Sequence, residues 1–502
     1  MTLEVHDIVL SCRLWTQLCA HLLPPGQAPE RGAGSEQLAF ILAAPNVSDC
    51  RVRLVGHELI PAHREDLEHQ SGSAIGPTGR FVAAALTRCR QEGWSLIEVH
   101  SHPFDSGPGT TFSGIDWSND RVKMPRLAAM LPDPFYHATM VVGQSSLDAH
   151  YFQRCTGAIE PVPRVTIVGA AADGAPVLRY LAASSRRPER AGPSQPRHTR
   201  QLPLLGTATQ EALSKARVAV VGTGGLGCFA ALQLAYLGVG QLILIDPDRV
   251  DLSNLNRLLG AGPDDVGRYK VDVFRELITR VAPAVSVTAV AAALLDADAL
   301  RHAKAADVLL GCVDGHGARL SLNHLSIRYL IPLIDAGTGA RVARAGLAAR
   351  LGGQVQIVAP GVGCLECRGF IHAQQAAFDL ARPDVQEYER AHGYGGEEAA
   401  PSVVFLNGVV ASLQVAQAVR VLAAASGYEY AIPRLVVYDG HAQRVFPARI
   451  PDSPECATCG EYGVAGVADL APLRAAPALG PAFAPQSFDL AGAQHAGSDP
   501  EK

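Results

Sequence analysis

The feature that constrains the fold most is a glycine-rich stretch, VAVVGTGGLGCFAAL, at residues 218–232. A buried strand is predicted to end at Val221, and an apolar helix begins a few residues later. The glycines around this turn are Gly222, Gly224, Gly225 and Gly227. Small residues there let the backbone approach a phosphate at the N-terminus of the helix. The stretch therefore predicts a nucleotide site, and by itself leaves NAD, FAD and ATP open.

The rest of the second half alternates between buried-strand runs and helical segments. The strand-like runs are RVAVVG, QLILID, VSVTAV, DVLLGCVD and PLIDAG. This alternation predicts an α/β fold with a Rossmann-like, doubly wound, mostly parallel sheet. In the first half, QLAFILAA, SLIEVHSH and HATMVVGQ are strand-like and RFVAAALTRCRQEG has helical spacing. A smaller α/β domain is therefore expected before the sheet.

Composition shifts divide the 502 residues into segments. Residues 182–196 are rich in Arg, Pro, Ser and Gly, which is typical of a linker. Residues 467–502 are rich in Ala, Pro and Gly without a period, which predicts a disordered tail. We therefore expect two domains, at residues 1–181 and 197–466.

Charge, apolar runs and cysteine content indicate which classes of protein and partner can be excluded. The net charge of −5 and the lack of a basic run argue against nucleic acid as a partner. The N-terminus has no basic leader, and no apolar run reaches the roughly 18–20 residues of a membrane span. Eleven cysteines, an odd number with mostly scattered spacing, do not resemble a secreted disulfide framework. We expect a cytoplasmic protein without a membrane or nucleic-acid partner.

A second constellation lies in WSLIEVHSHPFDSGPGTTFSGIDWSND, at residues 94–120. His100 and His102 are two apart on a predicted strand, so both imidazoles share one face. With Asp116 they supply three ligands and leave a fourth position open, which is typical of a catalytic zinc. Glu36 is the expected proton carrier, and Ser113 could donate a hydrogen bond to a developing oxyanion.

Polar residues follow the glycine turn in an order that favours ATP. An Asn, an Arg and a Lys suit an adenylating enzyme better than a dehydrogenase, because cations must neutralise the triphosphate. Asp314 ends a later strand, where magnesium could bind. The other expected ATP-site residues are Asp246, Asp248, Asn254, Arg257 and Lys270.

Two CxxC pairs lie far apart in the sequence. They are formed by Cys364, Cys367, Cys456 and Cys459. Thiolates at this spacing predict a tetrahedral structural zinc, and a redox CxxC is the alternative.

The constellation around His100 and His102 resembles the JAMM/MPN metalloproteases, whose signature is Glu, then His-Ser/Thr-His-Pro, then Ser-x-x-Asp. The resemblance covers residues 38–153 and implies cleavage after the C-terminal Gly-Gly of ubiquitin-like proteins. The family usually has seven residues between the second His and the Ser, whereas PFDSGPGTTF supplies ten. This Gly/Pro-rich insert can bulge out of the site, so the resemblance is compatible with metal binding and leaves the fit of the substrate open.

The second domain resembles the ubiquitin-activating superfamily in its bacterial ThiF/MoeB branch. The motifs are RHTRQ, GTGGLG, DPDRVDLSNLNR, the lysine of GRYK, CVDG and the CLEC…CATC pair. The resemblance implies that Asp246 binds ribose and that Asn254, Arg257 and Lys270 contact phosphates. It also implies that Asp314 binds magnesium. By the same resemblance, Arg200 reaches into the site of a partner subunit, which implies a homodimer.

Together the two domains resemble the fused JAMM–activating enzymes of bacterial ubiquitin-like conjugation systems. The expected partner is a β-grasp, ubiquitin-like protein ending in Gly-Gly, which one domain trims or releases and the other adenylates. The expected acceptor is a conjugating-enzyme-like protein or a sulfur donor. Three alternatives stay open: activation of a sulfur carrier, adenylation of a peptide in natural-product synthesis, and a nucleotide-sensing scaffold.

A thioester-forming cysteine is missing where several relatives carry one. No cysteine lies between Arg368 and Glu455. The adenylate is therefore expected to pass directly to another protein or to a sulfur donor. Ser402 could instead carry an oxyester, although a helix N-cap explains that serine more simply.

Overall fold

A computed structural model gives the fold of the chain. It describes residues 3–24, 35–48, 51–105, 107, 109–171, 174–183, 196–341, 350–391, 401–424, 432–448, 455–460, 463–470 and 473. The described strands form two large sheets and one small two-stranded sheet.

The N-terminal sheet has nine strands and carries three helices. In chain order the elements are β1 (Glu4–Ser11), α1 (Cys12–Leu22), β2 (Leu38–Ser48), β3 (Arg51–Pro61), β4 (Leu67–Gln70), β5 (Ile75–Pro77), α2 (Gly79–Glu92), β6 (Ser95–Ser101), α3 (Gly114–Met130), β7 (His137–Val142), β8 (Leu147–Gln153), β9 (Ala158–Pro161), β10 (Arg164–Ala170) and β11 (Pro176–Ala182). The strand order is β11-β10-β1-β3-β2-β6-β7-β8-β9, while β4 and β5 pair separately. The three predicted strands and the predicted helix are confirmed as β2, β6, β7 and α2.

The C-terminal sheet has eight strands with helices between them. Its elements are α4 (Leu202–Lys215), β12 (Arg217–Val221), α5 (Gly227–Leu237), β13 (Gln241–Ile245), α6 (Lys270–Val281), β14 (Ser286–Val290), α7 (Ala297–Ala303), β15 (Val308–Gly311), α8 (His316–Tyr329), β16 (Leu333–Arg341), β17 (Arg350–Val358), α9 (Ala373–Asp379), α10 (Pro383–Ala391), α11 (Val404–Ala424), β18 (Leu435–Asp439) and β19 (Arg444–Pro447). The strand order is β14-β13-β12-β15-β16-β17-β18-β19.

This second sheet is mixed. The strands from β14 to β16 pair in parallel, as predicted. From β16 to β19 the pairing is antiparallel. Strands β17, β18 and β19 were not predicted, because they follow the run of alternating strands and helices that signalled the parallel part.

Three of the expected segment boundaries, at residues 182, 196 and 467, lie in or next to folded elements. Ala182 lies in β11 and Pro196 begins a short 3-10 helix, so both ends of the expected linker are structured. The expected tail begins with a 3-10 helix at Ala468–Leu470, in which Ala468 is fully buried. Residues 184–195 of the linker and most of the tail lie outside the described residues.

The two sheets meet at a buried polar contact. Arg53, on β3, donates to the Asp307 carboxylate at 2.9 Å, and Arg164, on β10, contacts the same carboxylate at 3.1 Å. Arg53 also donates to the Ala306 carbonyl at 2.6 Å. Charges that are this deeply buried require such partners, so the contact holds the two sheets at a defined place.

Helix α11 is long and apolar enough to cross a membrane by length and composition. Half of the most apolar 18-residue stretch of this helix is buried inside the protein, where the helix packs on β16 and β17. A core helix passes the same test, so the helix is weak support for a membrane span.

Candidate functional sites

The glycine turn lies between β12 and α5 and is tightly packed at most of its positions. Gly222 has a φ of 88°, and a Cβ there would lie 2.6 Å from the Cys312 carbonyl oxygen. A Cβ on Gly227 would lie 1.8 Å from the Gly222 oxygen, and one on Gly225 would lie 2.4 Å from Asn407. At Gly224, apart from the glycine itself and its two chain neighbours, no atom of the described residues lies within 4 Å of that position. The turn therefore opens to solvent at Gly224.

A buried carboxylate holds this turn. Asp246 follows β13, is 5% exposed, and accepts hydrogen bonds from Thr223 N at 2.6 Å and Asp248 N at 2.9 Å. Burial raises the pKa of Asp246, and the nearby Lys270 opposes that rise. Lys270 is buried at the start of α6, and its Nζ lies 2.7 Å from Asp248 Oδ2. The structure thus brings Asp246, Asp248 and Lys270 together beside the glycines.

The other residues expected at the ATP site lie outside the group formed by Asp246, Asp248 and Lys270. Arg257 lies beside Gly225, and its guanidinium donates back to the Ser253 carbonyl at 2.8 Å. Asn254 ends a 3-10 helix in the same loop and accepts from Asp251 N at 3.3 Å. Asp314 is exposed just after β15, and Arg200 is exposed just before α4.

The N-terminal constellation also comes together in space. His100 Nε2 lies 3.5 Å from Asp116 Oδ1, and His102 Nε2 lies 3.4 Å from Asp116 Oδ2. One ligand atom from each of the three residues lies within 4.8 Å of the others. His100 Nε2 is buried without a hydrogen-bond partner among the described residues. Two imidazoles and a carboxylate are a zinc ligand set, and a buried nitrogen without a hydrogen-bond partner fits a metal ligand.

Helix α3 presents the carboxylate through its first turn. Ser113 caps the helix: its hydroxyl accepts from Asp116 N at 3.2 Å, while Asp116 Oδ2 accepts from Ser113 N at 2.7 Å. Burial opposes ionisation of Asp116, but its contacts with His100 and His102 outweigh burial and lower its pKa. The capping box therefore fixes the carboxylate in its charged form towards the imidazoles.

Two further carboxylates approach His102. Glu36 is 2% exposed, and its Oε1 lies 3.9 Å from His102 Nε2. Burial raises the pKa of Glu36, and the imidazoles oppose this. Asp105 Oδ2 lies 3.3 Å from His102 Nδ1, which leaves Nε2 facing Asp116. Sequence reasoning missed Asp105, although a carboxylate shortly after HSHP was a visible signal.

The insert after HSHP is anchored at several points. Gln144 N donates to the Asp105 carbonyl at 3.0 Å, and Gln144 Nε2 donates to the Pro103 carbonyl at 2.8 Å. Thr110 is fully buried, and its backbone N donates to Ser146 Oγ at 2.9 Å. These residues of the insert are therefore held by the turn between β7 and β8, which supplies partners for its backbone.

The four cysteines of the CxxC pairs form one cluster. The Sγ atoms of Cys364 and Cys456 are 3.7 Å apart, and those of Cys367 and Cys459 are 3.8 Å apart. All four sulfurs lie within 4.8 Å of one another. Zinc–sulfur bonds of about 2.3 Å in a tetrahedron require sulfurs about 3.8 Å apart. The cluster fits a structural zinc on this geometry.

Comparison with known proteins assigns the second domain. A model of the ThiF family matches residues 197–458, about half of the chain. The chain belongs to the ThiF family.

Two relatives of this ThiF-family chain come from Escherichia coli K12. Molybdopterin-synthase adenylyltransferase is 32% identical over 270 residues, which are 53% of this chain and 96% of the relative. Sulfur carrier protein ThiS adenylyltransferase is 33% identical over 267 residues, which are 53% of this chain and 94% of the relative.

A third relative and a solved structure are also similar. The adenylyltransferase and sulfurtransferase MOCS3 of Aedes aegypti is 28% identical, and the match covers 53% of this chain and 55% of that protein. The crystal structure of E. coli MccB with MccA-N7isoASN superposes with a TM-score of 0.43 at 23% identity, covering 53% of this chain and 76% of that chain.

Sequence reasoning missed two polar groups beside the glycine turn of the ThiF-family domain. Asp335 is 1% exposed, pairs in register with Gly311 at the end of β15, and accepts from Arg319 Nε at 3.2 Å. The signal was available, because the run PLID ends in a carboxylate as LILID does. Asn407, on α11, contacts Gly225 from a distant part of the chain, and no local pattern marks it.

Proposed function

We propose that the ThiF-family domain adenylates the C-terminal carboxylate of a small β-grasp sulfur carrier protein that ends in Gly-Gly. The observation that carries this proposal is the similarity over 94–96% of the length of two bacterial relatives. Their names place them in the activation of molybdopterin synthase and of the sulfur carrier ThiS. Sulfur-carrier activation is therefore favoured over ubiquitin-like conjugation.

The proposed reaction is an in-line displacement at the α-phosphate of ATP. A carboxylate oxygen of the carrier attacks phosphorus, the bond to the bridging oxygen of the β-phosphate breaks, and pyrophosphate leaves. Lys270 and Arg257 would neutralise the phosphates, and the backbone at Gly224 would approach them. Asp246 and Asn254 would bind the ribose and a phosphate, respectively.

Magnesium would bind close to the phosphates in this proposal. Asp314 offers an exposed carboxylate at the carboxyl edge of the sheet, and Asp248 offers a second near Lys270. Magnesium usually takes one or two protein carboxylates together with substrate phosphates and water. In its absence the pyrophosphate leaving group would keep its full charge.

We propose further that the N-terminal domain is a zinc peptidase that trims the same carrier after Gly-Gly. The observation that favours it is the meeting of His100, His102 and Asp116 with the buried Glu36 nearby. Bound zinc would supply a Lewis acid that makes water a nucleophile near neutral pH. Glu36 would take a proton and return it to the leaving amine, and the Ser113 hydroxyl would face the oxyanion.

Intact-mass spectrometry tests both proposals in one crossed experiment. The wild-type protein, with magnesium and ATP, receives a candidate carrier in two forms: one ending at Gly-Gly and one extended beyond it. We expect AMP on both forms, with trimming of the extended one first. His100→Ala should adenylate only the form ending at Gly-Gly, and Lys270→Ala should trim the extended form without adding AMP.

The two proposals fail separately in this design. Adenylation of the short form without any trimming of the long form contradicts only the peptidase. Absence of AMP on the short form contradicts the adenylation of that carrier. On the adenylated short form, sulfide should attack the carbonyl carbon and release AMP to give a thiocarboxylate, whereas a conjugate would support the ubiquitin-like alternative.

We also propose that Arg200 acts in the site of a partner subunit, so that the enzyme is a homodimer. A mixture of Arg200→Ala and Lys270→Ala tests this. In a mixed dimer, one site has its own Lys270 and the partner chain supplies an intact arginine. Random exchange should therefore restore about a quarter of wild-type activity in a two-fold symmetric dimer. No restored activity would show that Arg200 acts within its own chain, whereas full activity of Arg200→Ala by itself would show that Arg200 has no role in the reaction.

A further inference from the structure

A buried polar network lies beneath helix α3, one step along β6 from the candidate zinc ligands. Lys123 Nζ lies 2.7 Å from Glu98 Oε1 and 3.2 Å from Asp120 Oδ1. Asp120 Oδ2 lies 2.8 Å from His150 Nε2. The side chains of Glu98, Asp120 and His150 are only 3–4% exposed. None of these four residues is a predicted metal ligand, proton carrier or oxyanion donor.

The network occupies one row across the sheet. Glu98 on β6 is in register with Thr139 on β7, and Thr139 is in register with His150 on β8. Glu98 and His100 are two apart on β6, so their side chains share the face that α3 covers. The row of the network is therefore the neighbour of the row that carries His100.

Helix α3 meets both rows with a single face. Asp116, Asp120 and Lys123 are spaced by four and three residues, which places them on one side of a helix. Lys123 contacts Glu98 at one end of this face, while Asp116 contacts His100 and His102 at the other. The helix thus runs antiparallel to β6 and is attached to it by polar contacts at two levels.

Aromatic contacts join the network to the ligand row. The rings of His150 and Phe112 are 4.0 Å apart, and Phe112 lies 6.0 Å from the ring of His100. Trp117 stacks on His150 at 4.8 Å. A change in the position of His150 would therefore displace the first turn of α3.

Buried ion pairs seldom add stability over apolar residues of the same size, and their best-attested use is to fix a register. An apolar face would let α3 slide or rotate on the sheet, whereas paired charges allow one placement. We propose that Lys123, Glu98, Asp120 and His150 are positioning residues that set α3 so that Asp116 reaches the metal held by His100 and His102. This inference rests on the proposed zinc site of the N-terminal domain.

The test measures Co²⁺ binding by visible absorption, with the spectrum of His100→Ala subtracted to remove the signal of the cysteine cluster. The network is neutralised in the triple variant Glu98→Gln/Asp120→Asn/Lys123→Met. We expect a loss of Co²⁺ affinity of about ten- to a hundredfold and a changed spectrum, because ligand-positioning contacts have effects of that size. Lys123→Arg keeps the cation and should bind within about threefold of the wild type.

Controls separate positioning from folding. Lys215→Met changes an exposed lysine of the other domain and should leave binding unchanged. Far-UV circular dichroism reports the fold of each variant. If the triple variant unfolds, Asp120→Asn, which keeps the size of the side chain, decides the question by its Co²⁺ affinity.

The outcomes also distinguish a failure of this inference from a failure of the proposed zinc site on which it rests. Equal Co²⁺ binding by the wild type and His100→Ala would mean that the zinc site itself is absent. One more Co²⁺ in the wild type, together with unchanged affinity and spectrum in the folded neutral variant, would overturn the positioning role alone.

Discussion

The glycines of the predicted nucleotide turn differ in the space that is available for a Cβ atom. A Cβ on Gly224 has open space, whereas one on Gly227 would lie 1.8 Å from the Gly222 carbonyl oxygen. Gly224→Ala should therefore fold normally but lose ATP affinity, because the methyl group would occupy the position proposed for a phosphate. Gly227→Ala should lower the melting temperature before any ligand is added. Calorimetric titration with ATP and thermal unfolding measure the two effects.

The matched control is Gly262→Ala, which also has open space but lies away from the turn. It should leave both ATP affinity and melting temperature unchanged. If Gly224→Ala binds ATP as the wild type does, the phosphates do not approach the turn at that residue.

The residues that the sequence could predict are those fixed by local spacing. His100 and His102 alternate on one strand, Ser113 and Asp116 are three apart at a helix start, and each CxxC forms one turn. Such spacings imply contact whatever the rest of the chain does. Asn407 and the Glu98–Lys123 pair depend on packing between distant elements, so no spacing in the sequence could reveal them.

At the scale of elements, the N-cap of α3 joins helix stability to the proposed metal site. Ser113→Ala removes the acceptor for Asp116 N and should destabilise the N-terminal domain by about 1 kcal/mol. The Asp116 carboxylate would also lose part of its restraint, so metal affinity should fall with the stability. Urea unfolding and metal titration of the same variant measure the two effects.

Ser118→Ala is the control on the same helix. The Ser118 hydroxyl donates to the Gly114 carbonyl within the helix, at an exposed position. Alanine is a better helix former there, so stability should stay equal or rise. Equal destabilisation by both substitutions would show that the capping box does not hold the first turn.

At the scale of the whole molecule, the contact between the two sheets predicts a pH dependence. Burial, together with Arg53, Arg164 and Arg51, lowers the pKa of His6 to about 2. The unfolded chain binds a proton below about pH 6.5 that the folded chain refuses. Stability is therefore full above that pH and falls below it, by at most about 1.4 kcal/mol per pH unit.

His6→Gln should remove this part of the acid sensitivity, as chemical unfolding at pH 7.5 and pH 5.5 would measure. The exposed His441→Gln is the control and should keep the wild-type difference between the two pH values. An unchanged difference in His6→Gln would mean that His6 accepts a proton in the folded protein.

The contact between domains could not be predicted from the sequence, because its groups come from segments hundreds of residues apart. Arg53 and Asp307 are ordinary charged residues until the fold buries them together. The expected disordered tail was wrong at Val467–Leu470 for the same reason. Ala468 and Asp469 lie in a stretch whose composition is typical of a disordered tail, but Lys304 Nζ lies 2.7 Å from Asp469 Oδ1.

The cysteine cluster and the domain contact meet in one stretch of chain, residues 463–470, which we call the bridging segment. It begins at Gly463, four residues after Cys459, and reaches the N-terminal domain, where the Ala465 carbonyl lies 2.9 Å from His57 Nδ1. Asp469 ties the same segment to Lys304 in the second domain. A metal held by the four cysteines would therefore also anchor the segment that touches both domains.

Removal of that metal should loosen the domain contact as well as the cluster. Hydrogen–deuterium exchange of Cys456→Ser/Cys459→Ser should rise in the bridging segment and in β3 around His57, while β12 and β13 stay protected. Cys155→Ser, at an exposed free cysteine, is the control and should match the wild type. Faster exchange confined to residues 455–460 would show that the cluster holds only its own turn. Faster exchange at β3 would show that the metal stabilises the association of the two domains, since the link between them runs through the bridging segment.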